Sequence, residues 1–153
     1  MKNKSYKKLW EIANSHIQDG NMLFSKRPDI FLPNLWPSYY SRAKGCIVWD
    51  IKGKKFFDVC MMGVGTNVLG YSNQEVNNAV KKAVDESNMS TLNSFHEVKL
   101  AKKLKKIHRW ADKVKFARTG GEANAIAIRI ARAATKTEKV AICGYHGWHD
   151  WYL

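Results

Sequence analysis

Val114-Lys115-Phe116-Ala117-Arg118-Thr119-Gly120-Gly121-Glu122-Ala123-Asn124 reads as a short strand that breaks on a glycine pair and turns straight into a helix. Val114 to Ala117 has the length and apolar content of a buried strand. Thr119-Gly120-Gly121 is too small and flexible to continue it. From Ala123 the apolar residues fall at Ala123, Ile126, Ala127, Ile130, Ala131 and Ala134. That spacing is one face of a helix and predicts one from about Glu122 to Ala134. A helix opening on glycines presents backbone N–H groups without intrahelical partners and no Cβ to block approach, which suits a phosphate. The residues alone are equally well read as a tight strand-to-helix turn.

Beyond the helix, Lys139-Val140-Ala141-Ile142-Cys143 reads as a second short strand, followed by Gly144-Tyr145-His146-Gly147-Trp148-His149-Asp150. Two strands bridged by one amphipathic helix predict a β-α-β unit: Val114–Ala117 and Val140–Cys143 side by side in a parallel sheet with a right-handed crossover. The fold class is therefore α/β. Ligands of such sheets sit at the carboxyl ends of the strands, where both the glycine turn and the Tyr145-His146 loop fall. An aromatic ring beside a phosphate seat is what a flat, phosphorylated, aromatic cofactor needs.

Phe116-Ala117-Arg118-Thr119-Gly120-Gly121-Glu122-Ala123, Ala127 to Arg132 and Gly144-Tyr145-His146-Gly147 resemble the phosphate-binding and ring-stacking segments of class III aminotransferases, pyridoxal-phosphate (PLP) enzymes of fold type I. The branch they most resemble is glutamate-1-semialdehyde 2,1-aminomutase and its aminotransferase relatives. Gly45 to Asp50 with Gly53 to Asp58 resembles the family's N-terminal hairpin, and Leu69-Gly70-Tyr71 its usual Leu-Gly-His step. The resemblance runs from about Phe24 to the last residue, and family members are much longer than 153 residues, so it implies an N-terminal portion. It implies an N-terminal helix and hairpin segment of the small domain over 1–60. Over 61–153 it implies the beginning of a large, mainly parallel-sheet, PLP-binding domain.

Carried onto this chain, the resemblance gives Thr119, Gly120 and Gly121 to the cofactor phosphate and Tyr145 to stacking on the pyridine ring, with His146 supporting that loop or approaching the ring. Tyr145 as simple cleft filling is the alternative. The family often has Ser-Gly-Thr at the turn, so Gly121 stands where a hydroxyl donor is usual. Glu122 reads as structural, favoured at a helix start by the dipole. The loop Gly63-Val64-Gly65-Thr66-Asn67 sits where aminomutases carry a substrate-facing aromatic, and here Val64 or Thr66 takes that region. The implied activity is amino-group transfer by Schiff-base chemistry, between molecules or within one. It needs a lysine and an aspartate that the family places downstream, so no catalytic residue is expected within these residues. A homodimer acting on small amino donors and acceptors is implied as well. The alternative is a small phosphate-binding or basic interaction module without catalysis.

The charge is strongly basic, +13 from 26 Lys and Arg against 13 Asp and Glu. A nucleic-acid or anionic-membrane surface is one reading. Lys102, Lys103, Lys105 and Lys106, however, flank Leu100, Ala101, Leu104 and Ile107, as on the wet side of an ordinary amphipathic helix. No nucleic-acid partner and no membrane association are expected. Cys46, Cys60 and Cys143 match neither a zinc spacing nor a disulfide framework. His146, His149 and Asp150 can be read as metal ligands, but two histidines three residues apart in a loop have no third anchored ligand, so no metal is expected. Met1 to Lys8 is polar and basic, no stretch has the apolar length of a membrane span, and the expected location is the cytoplasm.

Elsewhere, Tyr6, Leu9, Trp10, Ala13 and Ile17 predict a helix stopped by Gly20. Phe24 to Pro37 is irregular, and the hairpin turns near Lys52-Gly53. Ser72-Asn73-Gln74-Glu75 and Ser94-Phe95-His96-Glu97 read as capping boxes opening two further helices.

Overall fold

A computed structural model describes residues 5–32, 35–60, 62–63, 65–87 and 89–144. The chain divides into two compact units, Met1–Asn88 and Met89–Leu153.

The first unit opens with α1, Tyr6–His16, capped by Ser5, whose hydroxyl accepts from Lys8 N. The helix gives way to a 3₁₀ turn, Gln18–Gly20. Gly20 is obligatory there: it sits at φ +72°, and a Cβ would lie 2.7 Å from Asn14 Oδ1 and 2.8 Å from the Trp10 ring. The Phe24 to Pro37 connection contains two more 3₁₀ turns, Phe24–Lys26 and Pro28–Ile30, and Phe31 stacks on Trp36 at 4.4 Å.

Three strands follow as an antiparallel meander: β1 Tyr40–Lys44, β2 Ile47–Asp50 and β3 Lys55–Phe57. The β2–β3 hairpin is the expected one, with Val48 opposite Phe56 and Gly53 at φ +87° in its turn. β1 is an addition to the sequence reading. Its residues, Tyr-Ser-Arg-Ala-Lys, carry no apolar alternation, and what holds it is cross-strand pairing. Arg42 faces Trp49 in the ladder and lays its guanidinium over the indole, 4.1 Å from the ring centre. Ser41 interrupts the register, its hydroxyl donating to the Asp50 carbonyl at 2.8 Å. Helix α2, Gln74–Asp85, is capped by Asn73, which accepts from Val76 N at 3.1 Å. The expected cap, Ser72, lies outside the helix at φ +52° and donates instead to the Ala43 carbonyl.

The second unit holds α3, Phe95–Ile107, capped as expected by Ser94, and α4, Gly120–Thr135, which begins three residues before its apolar stripe. The expected parallel pair is not formed: among the described residues, 114–117 and 140–143 belong to no ladder. A strand is completed by its neighbour, and neither segment has one here. Phe116, Val140 and Ile142 accordingly stay 40%, 36% and 45% exposed. No hydrophobic side chain among the described residues is fully buried.

Candidate functional site

The start of α4 is built by Thr119 and Glu122. Thr119 takes the extended conformation of an N-cap and its hydroxyl oxygen accepts from Glu122 N at 3.2 Å, while its carbonyl accepts the first helical bond from Ala123 N at 3.1 Å. The Glu122 carboxylate folds back to accept from Arg118 N at 2.8 Å and from the Arg118 guanidinium at 3.2 Å. This is a capping box shifted by one residue, since the backbone donor is Arg118 rather than Thr119. The Thr-x-x-Glu spacing carried that signal and went unread. The Glu122 charge is thereby answered by Arg118.

With those groups committed, the Gly120 and Gly121 N–H groups are the donors that helical geometry leaves without a carbonyl one turn back. Gly121 is buried. At Gly120 a Cβ would meet nothing within 4 Å, so crowding by the described protein atoms does not account for the glycine. That space beside Gly120, at the positive end of a 16-residue helix, leaves room for a phosphate approaching the backbone. The structure thus brings Thr119, Gly120 and Gly121 together. Tyr145 and His146 lie outside the described residues.

A second set of polar groups organises the hairpin, and sequence reasoning missed it. Asp50 is only 3% exposed; its carboxylate accepts from the Tyr6 hydroxyl and, at 2.8 Å each, from Lys52 N and Lys54 N. Burial works to raise the Asp50 pKa. The Tyr6 hydrogen bond and the turn's N–H groups outweigh it and hold the carboxyl below its ordinary range. Burial, then the Asp50 hydrogen bond and charge, push the Tyr6 hydroxyl up to about 12. Nothing in the local pattern of either residue signalled a pairing 44 positions apart.

The profile of the aminotransferase class-III family matches residues 33–151. The chain is 32% identical over 133 residues to the 3-aminobutyryl-CoA aminotransferase of Cloacimonas acidaminovorans, covering 86% of this chain and 32% of that protein. It is 36% identical over 120 residues to the glutamate-1-semialdehyde 2,1-aminomutase of Methanococcus vannielii, covering 77% and 28%. Among solved structures, the PLP internal aldimine form of the FumI protein of a Sphingopyxis species superposes with a TM-score of 0.83 at 30% identity, over 95% of this chain and 35% of that one. An omega-transaminase from Sphaerobacter thermophilus gives 0.83 at 24% identity over 97% and 33%, a likeness of fold. The chain belongs to the class-III aminotransferase family and has the α/β fold of the matched part of these transaminases. It spans about a third of the length of the relatives it matches. No helix among the described residues is long and apolar enough to cross a membrane.

Proposed function

We propose that the whole protein is a PLP-dependent aminotransferase or 2,1-aminomutase, acting on small amino donors and acceptors. The observation that carries this reading is the start of α4, where Gly120 has open space beside it inside a stretch matched by the class-III family. Bound PLP supplies an electrophilic carbon for the substrate amine and a ring that accepts the carbanion's electrons. This chain's own residues bind and orient. The Gly120 and Gly121 N–H groups and the α4 dipole hold the phosphate, Thr119 fixes the turn, and Arg118 keeps the Glu122 charge from opposing it. Tyr145 stacks on the ring and excludes water, with His146 beside it. The Schiff-base lysine lies outside these residues. Residues 1–60 belong to the small domain and 61–153 begin the large one. The protein is a cytoplasmic homodimer without a nucleic-acid partner, membrane association or metal.

The test is PLP retention. The whole protein should hold PLP through dialysis, and borohydride should fix it on one lysine beyond Leu153. Tyr145→Ala should weaken retention by about 1 to 3 kcal/mol through lost stacking and admitted water. A whole protein that takes up no PLP refutes the reading. Unchanged retention in Tyr145→Ala reduces that residue to packing.

A further inference from the structure

We infer that Glu122 is a positioning residue for the cofactor phosphate, a role that rests on the function proposed above. With Arg118 it closes a bracket around Thr119, Gly120 and Gly121 and orders them before the phosphate arrives. The Glu122 carboxylate reaches back four residues, accepting from Arg118 N at 2.8 Å through Oε2 and from the Arg118 guanidinium at 3.2 Å through Oε1. In the other direction, the Thr119 hydroxyl oxygen accepts from Glu122 N at 3.2 Å and the Thr119 carbonyl from Ala123 N at 3.1 Å. The residues on either side of the glycine pair are thus tied to one another, side chain to backbone, in both directions. The residues inside this ring are the ones that the phosphate reading uses.

Glycine loses more conformational freedom on ordering than any other residue, so an unrestrained Gly-Gly turn points its N–H groups in many directions. A phosphate binding to such a turn has to order it, and that cost is subtracted from affinity. The bracket removes the cost beforehand. Its charges oppose that gain only weakly. A lone carboxylate would repel a phosphate, but that of Glu122 stands 3.2 Å from a guanidinium, so at longer range the two act as a dipole. The Arg118 side chain is 91% exposed and that of Glu122 34%, so water and salt screen what remains. A Cβ on Gly120 would meet nothing within 4 Å, so the bracket orders the turn without covering it there. Ordering therefore outweighs repulsion.

The experiment titrates the whole protein, freed of cofactor, with PLP and with pyridoxal, which lacks the phosphate, and follows the absorbance of the bound ring. Hydrogen-exchange mass spectrometry of the cofactor-free protein reads the turn. Glu122→Ala opens the bracket, whereas Glu122→Gln keeps an oxygen for Arg118 N and removes the charge. In Glu122→Ala the amides of 119–122 should exchange about tenfold faster, with those of α3 unchanged. Its Kd for PLP should rise about tenfold while that for pyridoxal stays within about threefold. Glu122→Gln should bring PLP binding back to within about threefold of the wild type. Equal weakening of PLP and pyridoxal, or faster exchange spread over α3 as well, makes Glu122 a residue of the fold alone and overturns the inference. Unchanged or tighter PLP binding in Glu122→Ala also overturns it, because repulsion then matches or exceeds ordering. Should Glu122→Ala not fold, Glu122→Gln decides, and a Kd for PLP about tenfold or more above the wild type, or below it, overturns the inference. A wild-type protein that takes up neither PLP nor pyridoxal refutes the proposed function and the positioning role with it. A wild type that binds PLP beside a Glu122→Ala variant that binds it equally well refutes the positioning role alone.

Discussion

Replacing Asp50 with Ala should detach α1 from the hairpin and loosen the β2–β3 turn together. The carboxylate accepts from Tyr6 in a part-buried setting, and its loss there costs about 1.5 kcal/mol, the lower end for a hydrogen bond to a charged group. Lys52 N and Lys54 N belong to exposed residues, so water can replace the carboxylate, and each contributes roughly 0.7 kcal/mol. The whole effect is about 3 kcal/mol, which lowers exchange protection by roughly 150-fold. Native-state hydrogen exchange over β2 and β3 reads it directly. Tyr6→Phe should remove only the first part, and the Tyr6→Phe, Asp50→Ala cycle should show coupling of about 1 kcal/mol or more. A loss of protection below about fivefold, or strictly additive variants, would refute the reasoning.

Three further outcomes follow from the same geometry. Asp50 is held below its unfolded value of about 3.9, so its contribution is present above that pH and lost as pH falls through the folded value. Tyr6 is raised from about 10 to about 12, so its contribution is present below about pH 10 and lost on approach to 12. Exchange of β2 amides against pH checks both limbs, and a loss centred near neutrality would contradict them. Thr119→Ala should cost α4 about 1 kcal/mol while Thr119→Ser restores most of it, read by exchange over 120–124. Gly70→Ala combines a left-handed backbone with a contact on the Gly45 Cα and should destabilise the first unit by about 1 to 3 kcal/mol in urea unfolding. An effect below about 0.5 kcal/mol would show that the two backbones can separate freely.

What could be read in the sequence was what local chemistry determines. The α4 stripe, the Ser94 cap and the Lys52-Gly53 turn are written in neighbouring residues, and each formed where its pattern lies. β1 was illegible because Arg42 acquires its meaning only opposite Trp49. Ser72 misled because a hydroxyl before a helix is equally able to serve a strand carbonyl, as it does at Ala43. The parallel pair was inferred from apolar content, but 114–117 and 140–143 state only that they need neighbours, not where those neighbours are. At the site, the glycine turn was found and the Arg118–Glu122 device beside it was not, although its spacing was visible. Asp50 with Tyr6 and Asp58 with Tyr71 are long-range side-chain pairings, and no local pattern encodes them.

The meander has a consequence for the order of events during synthesis. β1, β2 and β3 pair in chain order across short turns, and such hairpins close in microseconds, far faster than a ribosome adds residues. The sheet can be complete when residue 57 has cleared the exit tunnel. Segments 114–117 and 140–143 keep a different clock. Emerging later, they join no ladder among the described residues, and Phe116, Val140 and Ile142 stay partly open to solvent. Apolar extended chain therefore stands open from the emergence of 114–117 onward, and a chaperone that binds such chain would find its target there.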